Sequence, residues 1–180
     1  LVIGMEKTLM TIAEKVKFIE DAITEECSKH QRPRESVKLV AVSKTKPVPD
    51  LEEAYKAGVR VFGENYIQEL EEKYSKLPDD VEWHFIGHLQ SNKIKKLLAV
   101  KNIVLETVDR ETYGRINAYR LATKLNSELE AHHPNRKLEI FVQVLTSEEE
   151  CRRCLMQQSV ESSKAEPWSL CSISFKSAHN

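Results

Sequence analysis

Apolar residues recur along the chain in two alternating patterns. Residues 9–29 place an apolar side chain at every third or fourth position with charged residues between them, which predicts an amphipathic helix. Residues 37–43 (VKLVAVS) form a short, nearly continuous apolar run that is typical of a strand covered on both faces. After a Pro-containing loop, Asp50 with Glu53 predicts the N-cap and capping box of a helix that stops at Gly58.

The same alternation repeats as far as about residue 145. Four more strands are predicted at 59–63, 82–87, 102–106 and 137–145, and the helices between them at about 65–77, 92–99 and 110–131. Strands that alternate with helices indicate right-handed βαβ crossovers and a parallel sheet. We therefore expect an α/β fold of about five parallel strands. It would be a partial (β/α) barrel, since eight units at this rate need roughly 230 residues, near the size of a closed barrel.

Residues 150–180 differ in character from the rest of the chain. They are rich in Ser and show neither a helical nor a strand period, so we expect an irregular tail following a domain that spans residues 1–149. Cys151, Cys154 and Cys171 could offer three thiolates to zinc, with His179 as a distant fourth ligand. Incidental thiols in an irregular tail are the favoured interpretation, and no metal site is predicted.

Composition narrows the class of protein. The 27 Lys and Arg residues nearly balance the 28 Asp and Glu residues, so the charge gives no basic surface for nucleic acid or an anionic membrane. The longest apolar runs, such as 39–42, are too short to span a bilayer. Four cysteines are too few for a disulfide scaffold, and residues 1–10 do not resemble a secretory signal. We therefore expect a cytoplasmic protein without nucleic-acid or membrane partners.

Lys44 is the first candidate for chemistry. Period-two alternation places Val40, Val42 and Lys44 on one face of the first strand, so Lys44 would project from the carboxyl end, where βα folds carry their active sites. Partial desolvation there would favour a neutral amine able to attack a carbonyl. The alternative is a lysine that extends from the strand end into water.

The ends of the next two strands also carry candidate residues. Glu64 and Asn65 would lie at the same mouth and hydrogen-bond a polar ligand, or Asn65 would cap the following helix. His84 and His88 have a metal-pair spacing for a helix, but they fall on a strand that runs into a loop. A satisfied or ligand-stacking imidazole is therefore expected instead. Gly87, ahead of a helix start at 91–93, would offer backbone amides to an anion or simply precede a capped helix.

Three long motifs, taken together, resemble one known family. Residues 39–47 (LVAVSKTKP), 62–69 (FGENYIQE) and 83–93 (WHFIGHLQSNK) resemble, in order, the pyridoxal phosphate homeostasis protein family. Residues 106–109 and 142–147 continue the match. The resemblance covers about residues 10–149.

The resemblance implies a fold, a cofactor and a role. The family is similar to the barrel domain of bacterial alanine racemases and carries pyridoxal 5′-phosphate as a Schiff base on the lysine that matches Lys44, whereas Lys46 lies beyond the strand end. It further implies that Asn65 and His84 line the cofactor site, to which we add Gly87. Family members are regarded as cofactor carriers in vitamin B6 homeostasis rather than enzymes. The implied partners are therefore the cofactor and pyridoxal-phosphate-dependent apoenzymes.

The chain departs from the family pattern after Glu149. The Ser- and Arg-Gly-containing motifs that hold the cofactor phosphate in the family do not follow, which leads us to expect a truncated or alternatively spliced form. Two alternatives stay open. One is a racemase-like fragment of a fold-type III enzyme, and the other is a chain that no longer binds the cofactor.

Overall fold

The computed structural model describes residues 10–108, 116–142, 144–145, 155–156 and 173–175. The helices are α1 Ile12–Lys29, α2 Val48–Lys56, α3 Ile67–Tyr74, α4 Ile94–Ala99 and α5 Ile116–His132. The strands are β1 Ala41–Val42, β2 Val61–Glu64, β3 Glu82–Phe85, β4 Ile103–Val108, β5 Leu138–Val142, β6 Val144–Leu145, β7 Leu155–Met156 and β8 Ile173–Phe175. Short 3₁₀ turns occur at Arg34–Ser36 and Ser91–Lys93.

The first five strands form a parallel sheet in chain order and alternate with helices, which confirms the predicted α/β fold. β8 pairs in parallel with β5 at one edge, and β6 and β7 form a separate two-stranded sheet. β7 and β8 fall within the tail that we expected to be irregular. The rest of that tail, including Cys151, Cys154, Cys171 and His179, lies outside the described residues.

Side chains alternate between the two faces of this sheet. One face packs against the helices, and its strand residues Phe62, Trp83, Phe85 and Leu105 are almost fully buried among the leucines of α3, α4 and α5. The opposite face, which we call the open face, carries Val40, Val42, Gly63, His84 and Ile86. A Cβ built on Gly63 would meet Val40, Val42 and Ile86, and Val42 is 54% exposed. The period of two thus assigns each strand residue to the core or to the open face.

The beginning of α2 differs from the prediction. Asp50 and Glu53 do not form a capping box: the helix begins at Val48 with Pro47 as N-cap, and no side chain caps it. Pro49 fits the first turn, where the backbone N–H that it lacks would have no helical partner. Glu53 instead accepts a hydrogen bond from the backbone N–H of Ile12 at 3.0 Å and ties α1 to α2. The chain does have a capping box, formed by Thr11 and Glu14 at the start of α1.

The C-terminal end of α2 lies where the sequence predicts it. Gly58 follows the helix with φ +104°, a conformation that glycine adopts readily, so the predicted stop at this residue is confirmed. Among the described helices, none has the length and apolar character that a membrane-spanning segment needs.

Leu70 tests how strongly α3 is held on the sheet. Its side chain is fully buried, so Leu70→Ala should leave a cavity and lower the free energy of unfolding by about 2–5 kcal/mol. Urea unfolding followed by circular dichroism measures this change. Gln68→Ala, at an exposed position of the same helix, is the control and should change the free energy of unfolding by less than about 0.5 kcal/mol. Equal effects of the two substitutions would contradict the packing described here.

Candidate functional site at the carboxyl edge of the sheet

Three of the predicted site residues meet at one edge of the sheet. Lys44 follows β1, Asn65 follows β2 directly and Gly87 follows β3. Because these strands are parallel and adjacent, their carboxyl ends lie side by side. The fourth residue, His84, lies within β3 and pairs in register with Gly63, which in turn pairs with Val42. The structure therefore brings all four to three neighbouring strands, His84 within its strand and the other three just beyond the strand ends.

Lys44 lies on a short turn that leaves the sheet. Its side chain is exposed in the described structure, so the partial burial that we expected for it is not provided by the residues described. The preceding residue, Ser43, is buried on the helix side. The following residue, Thr45, has φ +63°, in the left-handed region that β-branched residues rarely adopt. An exposed amine thus sits between a buried serine and a strained threonine.

Behind this turn lies a group of polar side chains, the turn cluster, consisting of the buried Ser43, Glu64 and Lys73 and the partly exposed Glu69. The Ser43 hydroxyl donates to Glu64 Oε1 at 2.6 Å. Lys73 Nζ donates to the Ser43 carbonyl, Glu64 Oε1 and Glu69 Oε2, each at 2.8 Å. The Thr45 backbone N–H donates to Glu69 Oε2 at 2.8 Å. The cluster therefore binds the backbone on both sides of Lys44.

Glu64 does not face the ligand side of the sheet, and that expectation is wrong. Its side chain is fully buried against α3, where it pairs with Lys73. The reason is the period of two, which puts Glu64 on the face opposite to Gly63. Glu64 Oε2 is buried without a hydrogen-bond partner among the described groups. Glu64 therefore belongs to the support of the turn rather than to a ligand surface.

Lys73 and Glu69 were not found by sequence reasoning. The signal that the sequence carries is their i, i+4 spacing on a helix, which is more often an exposed ion pair. Burial lowers the pKa of Lys73, but the hydrogen bonds that Lys73 donates to Glu64 and Glu69 outweigh burial and raise this pKa overall. The hydrogen bond from Lys73, followed by that from the Thr45 N–H, lowers the pKa of Glu69. The Lys73–Glu69 pair is therefore ionised at neutral pH.

His84 is held on the open face by two carboxylates. Its Nε2 lies 2.7 Å from Glu82 Oε1 and its Nδ1 lies 2.5 Å from Glu106 Oε1. Lys38 Nζ donates to the same oxygen of Glu82 at 2.6 Å. Because an ionised carboxylate only accepts hydrogen bonds, both bonds to His84 form together only when each ring nitrogen carries a proton. Both ring nitrogens therefore have partners, and the side chain is buried, with only 4% of its surface exposed in the described structure.

The described residues give no support to metal binding. His88 is exposed on the loop that follows β3, away from the strand position of His84. Within the part of the chain that the structure describes, no three His, Cys, Asp or Glu side chains are grouped so that they could hold a metal ion.

Gly87 and Asn65 are in backbone contact. A Cβ built on Gly87 would lie 2.1 Å from the carbonyl oxygen of Asn65, so only a glycine lets the two strand ends approach this closely. Asn65 does not cap α3, because Tyr66 is the N-cap and no side chain makes the capping bond. The 91–93 segment is a 3₁₀ turn ahead of the six-residue helix α4, again without a side-chain cap. Gly87 thus fixes the position of Asn65 at the edge of the sheet.

The curated proteins that the chain resembles share one name. The chain is 50% identical over 117 residues to the pyridoxal phosphate homeostasis protein of Schizosaccharomyces pombe, covering 64% of this chain and 45% of that protein. It is 41% identical over 159 residues to the mouse protein of the same name, covering 82% of this chain and 55% of the mouse protein. The human protein is 44% identical over 135 residues, covering 69% and 46%. The chain thus spans about half the length of these curated relatives. It matches no protein-family model.

Solved structures share the fold. PipY of Synechococcus elongatus with PLP bound superposes with a TM-score of 0.63 at 28% identity, covering 86% of this chain and 67% of that one. An unknown protein from Bifidobacterium adolescentis superposes with a TM-score of 0.69 at 27% identity, covering 83% and 61%. The α/β arrangement described above is therefore that of these structures.

Gly87→Ala tests the backbone contact at the edge of the sheet. The added methyl group must push the strand ends apart, and we expect a loss of about 1–3 kcal/mol in the free energy of unfolding. Gly63→Ala is the matched control, since its Cβ would meet side-chain atoms no closer than 3.3 Å, which can move slightly. Chemical denaturation of both variants gives the comparison. Gly87→Ala as stable as Gly63→Ala would refute the close approach.

The pKa of Glu82 predicts part of the response of stability to acid. Burial raises the pKa of Glu82, but hydrogen bonds from Lys38 and His84 outweigh burial and hold it below the ordinary 4.5. A carboxylate with a lowered pKa stabilises the folded state above its unfolded pKa and loses that contribution as the pH falls through the folded pKa. Glu82→Gln should therefore flatten the loss of stability in acid.

Urea unfolding from about pH 7 to about pH 3 measures this response. Glu35→Gln, at an exposed position, is the control and should keep the wild-type slope. A Glu82→Gln slope equal to that of wild type would show that the Lys38–Glu82–His84 contacts do not stabilise the folded state.

Proposed function

The chain belongs to the pyridoxal phosphate homeostasis protein family, and on that basis we propose that it binds pyridoxal 5′-phosphate (PLP) covalently on Lys44 as part of intracellular vitamin B6 homeostasis. The observation that carries the proposal is the position of Lys44. It is an exposed amine at the carboxyl end of a parallel strand, two residues after the half-exposed Val42. PipY, whose fold matches, is described with PLP bound.

The residues beside Lys44 fit a flat aromatic ligand. The side chains of Val40, Val42 and Ile86 close around the buried Gly63 and give this part of the open face an apolar character. Val42 exposes about half of its surface there. A planar ring would gain free energy by covering the exposed part of Val42.

Each residue of the site has a distinct task in this proposal. PLP supplies an aldehyde, with which a neutral lysine amine condenses to a Schiff base as water leaves. Lys44 is the amine that holds the cofactor. Asn65 offers a polar group at the neighbouring strand end, and Gly87 keeps Asn65 in place through the backbone contact. The buried His84 lies behind the site, in the row that it shares with Gly63 and Val42.

We favour a carrier over an enzyme. The curated relatives are named as homeostasis proteins and not as enzymes. A racemase needs a positioned general base beside the cofactor. His84, the titratable side chain in the same row as Val42 and Gly63, has both ring nitrogens engaged by Glu82 and Glu106. Delivery of PLP to PLP-dependent apoenzymes in the cytoplasm is therefore part of the proposal.

Replacing Lys44 tests the proposal. Purified protein is incubated with PLP, reduced with borohydride and mapped by peptide mass spectrometry. Wild type should carry the adduct on Lys44, and Lys44→Ala should lose it because the substitution removes the exposed amine that the proposal assigns to PLP. Lys46→Ala is the matched control, because it removes the same charge two residues further along the chain and should keep the adduct. An adduct that survives Lys44→Ala, or one that is absent from wild type, would refute the assignment.

A further inference from the structure

The turn cluster uses every hydrogen-bonding proton of a buried ammonium group. Lys73 is about 5% exposed, and its three N–H bonds go to the Ser43 carbonyl, Glu64 and Glu69. One of these acceptors is backbone of the turn that carries Lys44. The ammonium group thus joins helix α3 directly to the residue before Lys44.

Glu69 makes the corresponding contact on the other side of Lys44. It accepts the N–H of Thr45 through the same oxygen that accepts from Lys73. Thr45 has φ +63°, and a β-branched residue keeps such a conformation only where its surroundings hold it. The hydrogen bond from the Thr45 N–H to Glu69 is one contact that keeps Thr45 in this conformation. The backbone is therefore fixed at both neighbours of Lys44, while Lys44 itself is exposed.

The cost of this arrangement argues for a specific purpose. Burying a lysine and a glutamate loses their hydration, and a well-packed apolar pair would hold a helix on a sheet equally well. Here the buried charges converge on the turn between Ser43 and Thr45, and not on the general packing of α3, which Leu70 and Ile67 provide. Unlike an apolar pair, the buried charges form directional hydrogen bonds and so give that turn a defined geometry.

We propose that Lys73 is a positioning residue for the cofactor-binding lysine: with Glu64 and Glu69 it fixes the turn from Ser43 to Thr45 and so directs the Lys44 amine. This inference rests on the proposed function, because it assigns how Lys44 is presented to PLP. It also predicts that PLP reacts with Lys44 in preference to Lys46, because the cluster binds the backbone of the residues on either side of Lys44.

The test compares two ion pairs on the same part of the chain. Glu69→Gln weakens the cluster, and because Glu69 is about 30% exposed this variant keeps the fold. Glu72→Gln is the matched control, since Glu72 forms the next i, i+4 pair with Lys76 at 2.7 Å on the surface. Each protein is treated with PLP and borohydride, and the adduct is divided between Lys44 and Lys46 by peptide mapping. Hydrogen exchange of the Thr45 amide is measured in parallel.

We expect Glu69→Gln to lower the ratio of Lys44 to Lys46 adduct by about tenfold and to speed exchange at Thr45, because a small misplacement of a reacting group has an effect of up to about a hundredfold. Glu72→Gln should match wild type in both measurements. A Lys44 share that is unchanged in Glu69→Gln would overturn the inference and leave the proposed function standing. A wild type without adduct on Lys44 would overturn the proposed function, and the inference with it.

A second variant separates positioning from stability. Lys73→Met combined with Glu64→Leu removes both buried charges together, and such replacements are often neutral or stabilising. We expect this double variant to fold with a wild-type melting temperature and still lose its preference for Lys44. A variant that is both stable and as selective as wild type would overturn the inference.

Discussion

The site depends on the strict alternation of side chains along parallel strands. At each strand position a side chain belongs either to the helix side or to the open face. In β2 this constraint separates two adjacent residues completely: Glu64 is buried against α3, and Gly63 lies on the open face opposite Val42. One strand end therefore contributes both to the open face beside Lys44 and to the group of side chains that supports the neighbouring turn. A shift of β2 by one residue in its pairing register would move Glu64 to the open face and Gly63 to the helix side. The turn would then lose its support, and the open face would gain a charged side chain.

The parts of the molecule that follow from local patterns could be predicted from the sequence. Apolar periodicity identified the five strands and the helices between them, and adjacency of parallel strand ends placed Lys44, Asn65 and Gly87 at one edge. The capping box at Asp50 was wrong because Pro49 could enter the first helical turn, which allowed α2 to begin earlier. Local residue preferences did not reveal that Glu53 would instead accept a bond from Ile12, far away in the sequence.

Lys73 and Glu64 show why the support of the site could not be predicted. Their charges indicate exposure, and the pairing depends on how α3 packs over the ends of β1 and β2. Burial of an ion pair is a property of the assembled layers, since its free energy depends on solvent that tertiary contacts remove. The sequence motif 62–69 contains both carboxylates of the cluster, yet only the structure shows that they act on the turn at 43–45.

The contact between Gly87 and Asn65 has a genetic consequence. Every missense change of a glycine codon introduces a Cβ atom, whatever the chemistry of the new side chain. At position 87 that atom would lie 2.1 Å from a carbonyl oxygen that belongs to the backbone and cannot rotate away. In a saturation scan of this chain, position 87 should be sensitive to every substitution, the small residues alanine and serine included. Such a profile would identify backbone proximity, rather than lost side-chain chemistry, as the cause of a missense defect.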